Sequence, residues 1–107
     1  MIPGPFRNLA LIGFMGAGKT TAGEDLAARL GWTFLDADRE IEREAGRGIP
    51  AIFDEDGEPA FRALEERVVG RLLAEPNAVV ALGGGAVLSA VTRERLRDGS
   101  FTVLLDV

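Results

Sequence analysis

Gly13-Phe-Met-Gly-Ala-Gly-Lys19-Thr20 fits G-x-x-x-x-G-K-[ST] without a mismatch, and the reading of the whole chain follows from it. Glycines at these positions let the backbone turn tightly and aim N–H groups at phosphate oxygens. A helix starting there adds its positive amino end to the same anion. Lys19 supplies a mobile positive charge, and Thr20 a hydroxyl for a hard cation. Lys19 is also the only lysine among twelve basic residues. The motif has meaning only between a strand and a helix, and the flanks supply both. Asn8 to Ile12 is a short apolar run suited to a strand buried on both faces. Thr20 to Leu30 has helical spacing, with Leu26, Ala27 and Leu30 on one face and Gly31 as the stop.

Further along, strands and helices keep alternating. Thr33 to Leu35 reads as a second strand, ending at Asp36-Ala-Asp38. Arg39 to Ala45 reads as an amphipathic helix with Ile41 and Ala45 inward, and Ile49 to Phe53 as one more turn. Glu58 to Glu75 is the clearest helix, since Phe61, Leu64, Val68 and Leu72 form one stripe. Ala78 to Leu82 is a third strand, followed by Gly83-Gly84-Gly85. Thr92 to Asp98 reads as a polar helix capped by Thr92, and Phe101 to Leu105 as a fourth strand. This order predicts an α/β fold, a parallel sheet with helices on both faces. Ligands of such sheets bind beyond the carboxyl ends of the strands. The Gly13–Thr20 segment, the Asp36/Asp38 pair and Gly83–Gly85 all follow a strand, so they should meet there.

Composition narrows the function. The 107 residues carry 17 acidic and 12 basic side chains, net −5, with 47% apolar residues. That suits one domain with a core. The acidic balance argues against nucleic acid or an anionic membrane as partner, and no apolar run has the length of a membrane span. Asp36 to Glu66 holds eleven acidic residues and four arginines, which pattern alone reads as a solvated helical face. Arg7 followed by Leu9 to Met15 imitates a signal peptide, but the stretch is short and runs straight into the glycine-rich segment. Met1 to about Arg7 reads as a loose end. With no histidine or cysteine, proton transfer falls to carboxylates, Lys19 or a phosphate. The absence of cysteine fits a cytoplasmic location.

Individual candidates remain two-sided at this level. Asp36 and Asp38 could serve a metal and an attacking hydroxyl, or be a turn residue and a helix cap. Arg62 with Glu65 and Glu66 is best matched by a surface salt bridge; the functional reading is a guanidinium gripping a substrate carboxylate. The triple glycine is either a loose turn or a close approach of main chain to ligand.

Taken together these residues resemble shikimate kinase. The resemblance runs from about Asn8 to Asp106 and rests on Gly13 to Thr21, Leu-Asp-Ala-Asp at 35–38, Ile-Phe-x-x-x-Gly-Glu-x-x-Phe-Arg at 52–62, Glu65-Glu66, and Gly83 to Gly85. It implies a three-layer P-loop NTPase-like fold of the nucleoside-monophosphate-kinase type, incomplete at its C-terminus. It further implies phosphoryl transfer from ATP to the 3-hydroxyl of shikimate, toward chorismate and the aromatic amino acids. Gly16, Ala17, Gly18, Lys19, Thr20 and Thr21 would hold the ATP phosphates. Lys19 would neutralise transition-state charge. Thr20 would bind Mg²⁺, supported by Asp36. Asp38 would orient the acceptor hydroxyl, and Arg62, steadied by Glu65, would bind the shikimate carboxylate. Gly83, Gly84 and Gly85 would contact substrate through the backbone, with Phe53 and Phe61 walling the pocket. Family members continue into a lid with an arginine, a further shikimate-binding arginine and an adenine-contacting segment. This sequence shows none of these, and Arg93, Arg95 and Arg97 precede the fourth strand and do not take the lid's place. The expectation is therefore a fragment whose site is completed by a fused or separate segment, with little kinase activity in residues 1–107 alone. A different small-molecule P-loop kinase, such as gluconate kinase, and a non-catalytic nucleotide-binding module are the competing readings.

Overall fold

The computed structural model describes residues 6–13 and 16–105, apart from the side chains of residues 16–19 and 105. Four strands, β1 (Asn8–Gly13), β2 (Thr33–Asp36), β3 (Ala78–Ala81) and β4 (Ser100–Leu105), form one sheet in the order β2-β3-β1-β4. Every neighbouring pair is parallel. The helices are α1 (Gly16–Leu30), α2 (Ala37–Ala45), α3 (Ile49–Asp56), α4 (Glu58–Leu73) and α5 (Ala90–Gly99), with a short 3-10 turn at Ala86–Leu88.

Strand periodicity divides the apolar side chains between two layers. Leu9 and Leu11 of β1 and Val79 of β3 point to α1, where Ala27, Leu26, Leu30, Trp32 and Phe34 pack with them. Ala10, Ala78, Val80 and Leu82 point the other way, onto Ile41 of α2, Ile52 of α3, Phe61, Val68 and Leu72 of α4, and Leu96 of α5. The α/β/α layering is thus the one the sequence predicts. Among the described residues, no helix is long and apolar enough to cross a membrane.

Several boundaries differ from the sequence reading, each for a local reason. Helix α1 begins at Gly16, inside the glycine-rich segment, not at Thr20. Helix α2 begins at Ala37 because the Asp36 carboxylate accepts from the Arg39 N–H at 3.2 Å and caps it. Asp36 and Asp38 are therefore not an extended pair on one side of a strand; Asp38 stands in the first helical turn. Ser89, not Thr92, caps α5: its Oγ accepts from the Thr92 N–H at 3.1 Å, and Thr92 is only 1% exposed. Helix α3 runs on to Asp56. Helix α4 stops at Leu73, two residues early, as Ala74 and Glu75 turn back onto the carbonyls of Arg71 and Leu72 ahead of Pro76.

At the amino ends of the strands, buried Asn8 ties three elements together. Its Nδ2 donates to the carbonyls of Leu73 (2.8 Å) and Glu75 (3.0 Å), and its Oδ1 accepts from Ser100 Oγ. At the carboxyl ends, Gly13 pairs with Leu105 and Asp36 with Ala81, so the loops that follow the strands open on one edge. Strand β4 lies at the end of the sheet, with Leu104 64% exposed.

Candidate functional site

Two facing sets of residues make up the site, one after β1 and β2, the other after β3 and on α4. The first set starts at Gly13, whose φ of 150° is open only to glycine, and continues into the amino end of α1. The first-turn N–H groups of a helix have no partner within the helix, and here they lie at the sheet edge. Phe14 and Met15 of the motif, and the side chains of Ala17 and Lys19, lie outside the described residues. Thr20, in the second turn, donates from Oγ1 to Asp36 Oδ2 at 3.2 Å. Asp36 thus caps α2 with one oxygen and meets the α1 hydroxyl with the other. A hydroxyl and a carboxylate brought together are hard oxygen donors, a set that fits Mg²⁺. Thr21, one residue on, is exposed.

The second set is built around the glycines. The Asp38 carboxylate lies against Gly83, where an added Cβ would come within 2.8 Å of Oδ1. The Arg62 guanidinium lies on Gly85, where a Cβ would sit 2.3 Å from Nη1. Gly84 approaches the Gly13 carbonyl, with room for a Cβ at 3.8 Å. The triple glycine is therefore no loose turn: it makes room for Asp38 and Arg62 and carries the β3 loop up to the β1 loop.

Arg62 Nη1 donates to Glu65 Oε1 at 2.8 Å and Nε to Glu58 Oε2 at 3.4 Å, and the cation sits 5.2 Å from the Phe61 ring centre. Phe61 in turn stacks on Phe53 with ring centres 4.6 Å apart. Glu65 is 5% exposed, and burial pushes its carboxyl above the usual range despite the Arg62 ion pair, with Asp38 adding to the rise. The Arg62 guanidinium is held above its ordinary value, chiefly by the hydrogen bond to Glu65. Nε and Nη1 are committed to carboxylates, yet a guanidinium has five N–H donors, which leaves capacity for an incoming anion. A cleft of about 420 Å³ opens in front of it, bounded by Glu58, Arg62, Glu65, Glu66, Gly85 and Ser89. A second, of about 270 Å³, lies between Gly13, Gly83, Gly84 and Val87.

The i,i+4 pair expected between Arg62 and Glu66 does not form. Glu66 Oε2 instead accepts from Ser89 Oγ at 2.5 Å, joining α4 to the cap of α5. Glu58 and Ser89 were absent from the sequence-level candidates. The signal for Ser89 was present, a serine just before the amino end of a polar helix. Among the described residues the structure brings Thr20 to Asp36, and Asp38 and Arg62 to the glycines, at one sheet edge.

Comparison with known proteins bears on the family and the fold. The shikimate kinase family model matches residues 15–107. The shikimate kinase of Nitrobacter winogradskyi is 54% identical over 99 residues, covering 92% of this chain and 46% of that protein. That of Thermobifida fusca is 58% identical over 97 residues, covering 91% and 56%. The chain thus spans about half the length of these curated relatives. Among solved structures, the shikimate kinase from Acinetobacter baumannii in complex with shikimate superposes with a TM-score of 0.91 at 46% identity, over 95% of this chain and 57% of that one. The Aquifex aeolicus enzyme gives 0.87 at 36% identity, over 94% and 60%. With a family model covering most of its length and relatives that carry the same name, this chain belongs to the shikimate kinase family.

Proposed function

We propose that the protein transfers the γ-phosphoryl group of ATP to the 3-hydroxyl of shikimate, a step toward chorismate made in the cytoplasm, and that this chain carries the phosphate- and shikimate-binding parts. The observation that carries the reading is the convergence of Asp38 and Arg62 on Gly83 and Gly85 beside the phosphate loop. A module that only bound nucleotide would have no use for that acceptor side.

The division of labour follows from the chemistry of each group. The amino end of α1 and Gly16 to Thr21 hold the ATP phosphates, and Lys19 meets charge on the transferring group. Thr20 and Asp36 hold Mg²⁺, which when bound neutralises phosphate charge. Arg62 binds the substrate carboxylate, with Glu65 and Glu58 fixing the plane of its guanidinium. Asp38, against Gly83, accepts a hydrogen bond from the acceptor hydroxyl and aims its oxygen at the phosphorus. Phe53 and Phe61 exclude water behind Arg62, and the Gly84 backbone contacts the ring.

Thermal-shift titration of the protein tests this. Stabilisation by shikimate as well as by Mg-ADP supports the kinase. A response to nucleotide alone would make the chain a nucleotide-binding module, and a preference for gluconate within a panel of polyols and sugar acids would reassign the acceptor. In a coupled assay, residues 1–107 alone are expected to turn over far more slowly than a full-length relative.

A further inference from the structure

Opposite the candidate site, at the amino ends of β1, β3 and β4, a second cleft of about 410 Å³ is lined by Arg7, Gly70, Leu73, Ala74, Arg95 and Asp98. We propose that this cleft binds a small phosphate-bearing anion between the guanidiniums of Arg7 and Arg95.

Ion pairing singles these two side chains out. Eight of the eleven arginines have a carboxylate within 4.0 Å. Among the described residues, Arg7, Arg93 and Arg95 have none, and Arg93 donates instead to the Val87 carbonyl. Arg7 and Arg95 therefore face one cavity with no carboxylate within 4.0 Å of either, although Asp98 also lines it.

Both guanidiniums also have space made for them. A Cβ on Gly70 would fall 1.5 Å from Arg95 Nη1, and one on Gly99 would fall 2.9 Å from Arg7 Cζ. Arginine over glycine is the same device that seats Arg62 on Gly85. The backbone of Arg7 is held on both sides, its N–H to Gly99 and its carbonyl by Asn77, and Arg95 projects from the middle of α5. Such anchoring lowers the entropy lost on gripping an anion.

The bland alternative is that the arginines serve the carboxyl end of α4. The last-turn carbonyls of Arg71, Leu72 and Leu73 are already taken, by Ala74, Glu75 and Asn8. Asp98, on the same wall, has Arg97 Nε at 3.9 Å to offset it. A forked pair of guanidiniums in a cleft of this size suits a phosphate group on a small molecule.

The test is an amide NMR titration of the ¹⁵N-labelled protein with pyrophosphate. Saturable shifts at Gly70 and Gly99 are expected. Arg7→Ala and Arg95→Ala should each weaken the response about tenfold, as for loss of one charge-assisted hydrogen bond, and the double variant should abolish it. Arg95→Lys should weaken it less than Arg95→Ala. Shifts confined to residues 16–20 report only the phosphate loop, so failure here is separable from failure of the kinase reading. No shift at Gly70 and Gly99, or an undiminished response in the double variant, overturns the proposal. Saturation by citrate at the same concentration as by pyrophosphate overturns the phosphate preference.

Discussion

The guanidinium of Arg62 occupies the volume that a side chain at Gly85 would need: a Cβ there would lie 2.3 Å from Nη1, 2.6 Å from Nη2 and 2.7 Å from Cζ. Gly85→Ala must therefore push the cation off its seat between Glu65 and the cleft. The expected outcome is a rise of about tenfold in KM for shikimate, equivalent to about 1.4 kcal/mol, with kcat less affected. Steady-state kinetics on the full-length protein checks it. A melting temperature close to that of the wild type is the folding control.

Asp36 caps α2, and the proposed function gives it a second, separable duty at a cation. Asparagine caps a helix as well as aspartate does, but lacks the charge for a cation. Asp36→Asn should melt close to the wild type while needing several-fold more Mg²⁺ for half-maximal rate. Asp36→Ala should in addition lose about 1 kcal/mol of stability with the cap. Melting curves and a Mg²⁺ titration decide; equal Mg²⁺ dependence in wild type and Asp36→Asn would leave Asp36 a cap alone.

Glu65 makes stability depend on pH in a stated direction. Burial raises its carboxyl above the usual 4.5, so the native state favours the protonated form. Its contribution is full below that value and is lost as pH rises through the raised native value. Glu65→Gln removes this titration. The melting temperature of the variant minus that of the wild type should therefore grow with pH from about 4.5 and then level off. A difference that shrinks over the same window would show that the Arg62 ion pair outweighs burial.

Gly23 of α1 sits under Phe34, where a Cβ would fall 2.3 Å from Cε1, with Leu11 Cδ1 at 3.2 Å. Helix propensity alone would gain about 1 kcal/mol from Gly23→Ala. Overpacking of a buried seam costs about 1–3 kcal/mol and should win, since Phe34 is held between α1 and the sheet. Differential scanning calorimetry should show a melting temperature lower by several degrees.

Much of the architecture was legible because strand and helix periods leave a direct mark on sequence. The apolar runs of β1 and β3, and the Phe61–Val68–Leu72 stripe of α4, reappear in the two core layers. Cap positions were read less well. Asp36 and Ser89 compete locally with Asp38 and Thr92 for the same duty, and only the backbone path decides which carboxylate or hydroxyl reaches the N–H.

What the sequence by itself determined is the order of elements, the glycine-rich motif and the edge of the sheet where the candidate segments meet, since these depend on local periods and on the fixed handedness of crossovers. Tertiary structure alone decided which of the two acids that follow Arg62 in α4 it meets. Arg62 takes Glu65 and Glu58, while Glu66 turns to Ser89, twenty-three residues away. It also decided what the glycines are for. Nothing in a run of three glycines says that Asp38 and Arg62 will lie on two of them; that depends on how α2 and α4 pack over the end of β3. Long polar side chains choose partners by distance in space, and spacing along the chain constrains that distance only within a single helix.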